Sequence, residues 1–274
     1  MSQANLLHSV HWSTTYRPDE TPDFLLKSHR LLLDEIDKLP NEKKAGWLMA
    51  REKCDPTLVG EDHRLMFLRC ELFNIELAAQ RIANYWNRRI ELFGNDRAFK
   101  PLHLGEDGAI TPINDNDDSD NGQFGGRAIL FADPSRFAGY DKNNNDERMG
   151  VVRALWLIFH SVIMGNDLVQ KLGVVVVVFP HHAKISIIDR KLIKMNIESL
   201  SGCLPIRVGG FHICHPPWFF GKFVYPIMKV VMPSRMSKRI RVHVGSEEKV
   251  LENLKQFGLE KKALPSDIGG DIVL

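Results

Sequence analysis

The sequence has no long apolar run, few cysteines and, across one stretch of its C-terminal half, no acidic residue at all. Its longest apolar run, Val174 to Phe179, falls far short of the ~20 residues that a membrane-spanning helix needs, so no span is expected. Four cysteines, Cys54, Cys70, Cys203 and Cys214, show neither CxxC spacing nor a disulfide framework. They read as reduced thiols of a cytoplasmic protein. His212, Cys214 and His215 crowd together, but no second ligand pair matches them, and no metal site is expected. The start, Met1-Ser2-Gln3-Ala4-Asn5, lacks the basic and apolar regions of a secretory signal. A P-loop, GxSxG, HExxH and a dinucleotide fingerprint are also missing. His181 and His182 with Asp189 have no nucleophile at a workable spacing, so neither catalysis nor a cofactor is expected.

The acid-free stretch runs from Ser199 to Ser246 and holds seven cations: Arg207, Lys222, Lys229, Arg235, Lys238, Arg239 and Arg241. The whole chain of 274 residues has 36 Lys and Arg against 34 Asp and Glu, for a net charge of +2, so everything outside the window is net acidic. A basic excess this local argues against nucleic acid as a partner. Beside the run Trp218-Phe219-Phe220-Gly221-Lys222-Phe223-Val224-Tyr225, it suits a surface that meets an anionic, apolar partner. The plain alternative is a core helix and strand whose charges sit in water.

Patterning divides the chain. Residues 1–20 read as a polar tail. Thr21-Pro22-Asp23 has the order of a helix start: hydroxyl cap, proline at the first helical position, carboxylate at the positive dipole end. Leu25, Leu32, Ile36 and Leu39 follow at helical spacing. Further helices are expected over Glu42–Glu52, over Glu61–Cys70, and from Asn74 along the stripe Ile75, Ala79, Ile82, Trp86, Ile90 and Phe93 to Gly94. Residues 21–100 thus make a helical bundle. Residues 111–126 are an acidic loop. Counted from Asp117, position six of a calcium loop is Gly122, but position twelve is Ala128 where a glutamate is required, so a solvated loop is expected.

Beyond Gly126 strands and helices alternate. Arg127–Phe131, the valine run and Arg207–Cys214 read as strands. Glu147–Leu172 and Asp189–Leu200 read as helices. The valine run has no polar face and should be buried on both sides. In the last strand Arg239, Arg241 and His243 alternate with Ile240, Val242 and Val244, giving one basic and one apolar face. A helix over Glu247–Phe257 follows. Such alternation builds a helix-covered α/β sheet.

Three stretches, in order, resemble the CRAL-TRIO lipid-binding family. The first is Glu61-Asp62-His63-Arg64-Leu65-Met66-Phe67-Leu68-Arg69-Cys70-Glu71-Leu72-Phe73-Asn74, continued by Tyr85-Trp86 and Arg89. The second is Leu204-Pro205-Ile206-Arg207-Val208-Gly209-Gly210-Phe211-His212-Ile213-Cys214-His215-Pro216-Pro217-Trp218. The third is the closing Leu264-Pro265-Ser266-Asp267-Ile268-Gly269-Gly270. The resemblance implies an N-terminal helical bundle over 21–100 packed on an α/β/α sandwich over 101–274. There a mixed sheet floors an apolar lipid pocket, and a gate helix over about Pro217–Met232 closes it. Phosphatidylinositol-transfer members carry an acid where this chain has Ile206, which argues against inositol held inside. His215 stands in place of the family's asparagine. Pro226 interrupts the gate and calls for a kink or a one-residue shift.

The lipid pocket and gate are therefore expected from Phe131, Trp156, Phe159, Val177, Phe179, Ile213, Phe219, Phe220, Phe223, Val224, Ile227 and Val231. Docking to an anionic, phosphoinositide-containing membrane is expected from Arg207, Lys222, Lys229, Arg235, Lys238, Arg239 and Arg241. The function implied is non-enzymatic binding and transfer or sensing of a small hydrophobic lipid by a cytoplasmic, transiently membrane-associated monomer. The alternative is a lipid-regulated protein-interaction module without transfer activity.

Overall fold

Thr21 opens the first helix as its chemistry requires: its hydroxyl accepts the Phe24 N–H at 3.3 Å, and helix α1 runs Pro22–Lys38. The computed structural model describes residues 17–102, 127–137 and 140–273. Most of the expected tail and the whole acidic loop lie outside the described residues. Helices α2 (Asn41–Lys53), α3 (Glu61–Cys70) and α4 (Ile75–Arg97) complete the bundle. Asn74 caps α4 by accepting the Leu77 N–H at 2.9 Å. At Gly94 (φ 70°, ψ 168°) the helical path breaks where an end was expected, and a last turn then continues to Arg97. Leu32, Ile36, Trp47, Phe67, Ile82 and Trp86 are almost wholly buried at the bundle centre, as their helical spacing requires.

Strand β1 (Ala128–Ala132) leads to α5 (Asn145–Ile163) and α6 (Asp167–Leu172), then to β2 (Val174–Val178). The single helix expected over Glu147–Leu172 is two, because the chain turns at Gly165 with φ 69° and Asn166 caps α6 by accepting the Val169 N–H at 3.0 Å. Helix α7 (Arg190–Gly202) joins β2 to β3 (Val208–Cys214). After the gate, β4 (Ile240–His243) and α10 (Glu247–Lys255) follow. The sheet order is β1-β2-β3-β4, and every pairing among the described residues is parallel rather than mixed. Helical crossovers between successive strands impose that direction.

The two sheet faces bury different partners. Val174, Val176, Phe211, Ile213 and Ile240 join the large core shared with α5, α7 and the bundle. Val175, Val177, Phe179 and Cys214 pack instead against Val250 and Leu254 of α10 and Leu259, Leu264 and Ile268 beyond it. The valine run is thus covered on both sides, as its lack of a polar face predicts. The closing turn also has a steric cause. A Cβ on Gly270 would lie 1.9 Å from the Leu264 carbonyl oxygen, so the chain can fold back into the Pro265–Ile272 bridge only with glycine there.

The last strand departs from expectation. His243 is buried and bonds His212, with 3.0 Å between Nδ1 of His212 and Nε2 of His243. Arg241 lies over the Phe257 ring and donates to the Lys238 and Ile240 carbonyls. Val242 and Val244 are the exposed residues, at 45% and 59%. Phe257 packs against the basic face, which is thereby partly covered, while on the apolar face Ile240 is buried and Val242 is exposed.

Candidate functional site

The gate begins where β3 ends. His215 adopts φ 48°, Pro216 and Pro217 stiffen the next two positions, and Phe219 and Phe220 turn inward and are buried. Residues Phe220–Val224 form a widened turn in which the Tyr225 N–H bonds the Phe220 carbonyl; helix α8 (Tyr225–Val231) continues from it. Pro226 explains the widening. It lacks an N–H, and its ring would meet the carbonyl four residues back in a regular helix, so one extra residue in the turn relieves both problems. The expected one-residue shift takes this form.

The gate has two faces. Phe219, Phe220 and Met232 are buried, and Phe223, Val224, Ile227 and Val231 are half-buried. Val224, Tyr225, Met228 and Val231 pack on the core that contains Ile213, Phe159 and the α7 residues Leu192 and Ile193. Outward lie Trp218, Lys222, Pro226, Lys229 and Val230, with Trp218 at 78% and Val230 at 87% exposure. The Lys222 and Lys229 ammonium groups sit 5.7 Å and 5.0 Å from the Phe223 and Tyr225 ring centres. Trp218 lies outside the expected site residues, although an aromatic next to two prolines at the head of an apolar helix is a usable signal.

Not all expected pocket residues meet the gate. Phe131, Val177 and Phe179 lie on the opposite sheet face, against α10. Alternate residues of a strand point to opposite faces, so these three cannot line the sheet face that the gate covers. Trp156 tilts against Tyr85 of α4 at 5.4 Å between ring centres and so faces the bundle. Phe159 and Ile213 remain on the gate side.

The expected docking cations also divide. Lys222 and Lys229 are exposed on the gate, and Lys238 is exposed after α9 (Ser234–Ser237). The Arg235 side chain lies outside what the structure describes. Arg207 and Arg239 instead line a groove of about 730 Å³ at the seam between bundle and sandwich, with Cys70 and Arg81 on the bundle side and Ile206 and Met236 opposite. Burial pushes the Arg207 guanidinium down to about 10, and its neighbours Arg17, Arg239 and Arg127 push it the same way against an opposing effect of Cys70. Arg239 donates to the Val208 carbonyl at 2.5 Å. Arg81 reaches Glu71 at 2.5 Å and the Leu204 and Ser201 carbonyls at 2.7 and 2.9 Å. It is the bundle's cation in the groove, and only the folded seam reveals it. The groove therefore concentrates positive charge beside apolar walls, chemistry suited to an anion attached to a greasy group.

All four cysteines are free thiols, and burial pushes Cys214 up to about 12. Among the described residues no cluster of His, Cys, Asp or Glu could hold a metal ion, and no helix is long and apolar enough to cross a membrane.

A parallel four-stranded sheet covered by helices, a helical bundle at its flank and an aromatic helical segment after the third strand are the layout expected of a CRAL-TRIO domain. The model of the CRAL/TRIO domain matches residues 125–270, and the chain belongs to that family of lipid-binding proteins. Among curated relatives, Clavesin-1 of Xenopus laevis is 27% identical over 224 residues, which cover 76% of this chain and 60% of that protein. Clavesin-1 of Mus musculus is 26% identical over 270 residues, covering 93% and 66%. The chain thus spans about two thirds or less of these relatives' length. The crystal structure of Sfh5 superposes with a TM-score of 0.48 at 15% identity, covering 78% of this chain and 80% of that one.

Proposed function

We propose that this chain is a non-enzymatic carrier or sensor of a small hydrophobic lipid, held by the domain over 101–274 and exchanged at anionic, phosphoinositide-containing membranes. In this reading Phe159, Ile213, Phe219, Phe220, Phe223, Val224, Ile227 and Val231 surround the lipid, and the bundle over 21–100 braces the domain. The protein works as a cytoplasmic monomer that visits the membrane transiently. The observation that carries the reading is the two-faced gate: aromatic and aliphatic inside, with Trp218, Lys222, Lys229 and Val230 outside. Each buried CH₂ is worth about 0.8 kcal/mol, so a cavity of equivalent apolarity lets a lipid leave a bilayer without bond chemistry. Tryptophan and lysine together suit the interface where tails give way to headgroups. Each lysine near an anionic leaflet contributes about 1 kcal/mol, enough for reversible docking. Arg207 and Arg239 in the groove supply further positive potential for a phosphorylated headgroup.

Native mass spectrometry of the purified protein, with and without incubation with mixed liposomes, tests this reading. An exchangeable lipid adduct is the expected result. Transfer of a fluorescent lipid between vesicles should accompany it and should fall in Trp218→Ala and in Lys222→Glu/Lys229→Glu. Liposome binding without any adduct or transfer would instead favour a lipid-regulated interaction module.

A further inference from the structure

We infer that His215, with His181 and His182 packed beside it, forms an acid-sensitive latch at the base of the gate, and that protonation of His215 loosens the segment from Pro216 onward. β2 and β3 are adjacent and parallel, so their carboxyl ends emerge side by side. The chain beyond β2 brings His181 and His182 there, and the chain beyond β3 brings His215. The His181 and His182 rings are 4.8 Å apart between centres, and those of His181 and His215 are 6.0 Å apart. All three surround the buried ring of Phe179 at 5.6, 6.2 and 6.0 Å. His181 and His182 are exposed, and His215 is the half-buried ring of the three.

His215 is the hinge of this cluster. Its backbone has φ 48°, in the left-handed region that few residues other than glycine, asparagine, aspartate and histidine enter. Its N–H donates to the His243 carbonyl at 3.0 Å. Its Nε2 is buried without a hydrogen-bond partner among the described residues. Two prolines follow, each with a restricted φ, so a change at His215 swings Trp218 and the gate rather than dissipating in a flexible loop.

The groups that act on His215 are few. Burial pushes its imidazole below the ordinary range, the neighbouring His181 pushes it the same way, and Glu247 at the start of α10 pulls it back up. The His243 ring is already bonded to His212. Burial and His181 together outweigh Glu247, so a proton on His215 is disfavoured while the gate is closed and less so once that ring is hydrated. Acid therefore shifts the population toward the open gate, and neutral pH toward the closed one.

For its consequence, lipid release, this inference rests on the proposed carrier function; the latch itself does not. Hydrogen exchange of the full chain over 216–232, corrected for intrinsic rates, tests it at about pH 7.5 and about pH 5.5. The wild type should lose protection about ten-fold more than the β2 and β3 amides do. His215→Asn keeps a residue that tolerates the left-handed backbone, and His181→Gln/His182→Gln replaces the neighbouring rings without touching the hinge. Each should reduce the acid-dependent loss to about three-fold or less. Wild-type protection that is independent of pH overturns the latch, as does an undiminished loss in both variants. Retention of NBD-labelled phosphatidylcholine is followed in parallel. Acid loosening in a protein that never binds this probe or a native lipid adduct leaves the latch standing and removes the carrier function.

Discussion

At Arg69 a single guanidinium holds three elements together. It is almost wholly buried, with Glu20 at 2.7 Å, Asp167 at 2.9 Å and Gln170 at 2.6 Å, so it ties the entry to α1 and the start of α6 to the end of α3. Burial alone would raise the Glu20 carboxyl, but Arg69 and Lys171 outweigh it and hold it below the usual range. Asp167 is held low first by its hydrogen bond to Arg69. Burial would likewise raise Asp189, and the Leu192 N–H, Arg148 and Tyr140 together bring it below its ordinary value. For depressed carboxylates, the contribution to stability is present above the unfolded value near pH 4 and is lost as pH falls through the folded one. Thermal melts should therefore show Tm falling steeply below about pH 4. Arg69→Met should cost about 2 kcal/mol, or roughly 4–8 °C in Tm at neutral pH, and should shrink that acid dependence; an unchanged pH profile would show that the network contributes nothing.

At the scale of the element, the gate carries the clearest consequence. Its widened turn exists because Pro226 denies the helix one donor and crowds the carbonyl four residues back. Pro226→Ala restores the missing N–H and removes the ring, so the segment should be free to relax into a regular α-helix. The registration of Phe219, Phe220 and Phe223 against the core would then shift. Slower fluorescent-lipid exchange between vesicles is the expected outcome, with increased hydrogen-exchange protection over 216–232. Most elements were legible in the residues: the Thr21 and Asn74 caps, the α4 stripe and the valine strand all stand where their local chemistry puts them. The break at Gly165 is written locally as well, in a left-handed glycine followed by the capping Asn166, but the apolar residues on both sides favour reading one helix across it.

For the whole molecule, the seam between bundle and sandwich decides how far the two move together. Arg81 crosses it, bonding Glu71 on one side and the carbonyls that end α7 on the other. Arg81→Ala should weaken that coupling and leave the Leu204 and Ser201 carbonyls without this donor, so calorimetric unfolding should broaden or split into two transitions where the intact protein is expected to melt in one. Docking belongs to this scale too, because the gate lysines and the groove arginines act on one partner only if they share its surface. Raising salt should weaken binding to anionic liposomes; salt-independent binding would leave Trp218 and Val230 as the sole contacts.

By itself the sequence determined the helices, the strands, the family order of its motifs and the acid-free window with Trp218 to Tyr225 inside it. These depend on neighbours a few residues apart, whose periodicity and capping chemistry are written locally. Only the tertiary structure decided which side of the sheet each strand residue faces toward which partner. It turned Phe131, Val177 and Phe179 away from the gate, buried His243, and sent Arg207 and Arg239 into a groove while leaving Lys222 and Lys229 outside. The physical reason is that a strand alternates its side chains whatever covers them, and the covering of each face by α10 or by the gate and α7 is set by connections far apart in the chain.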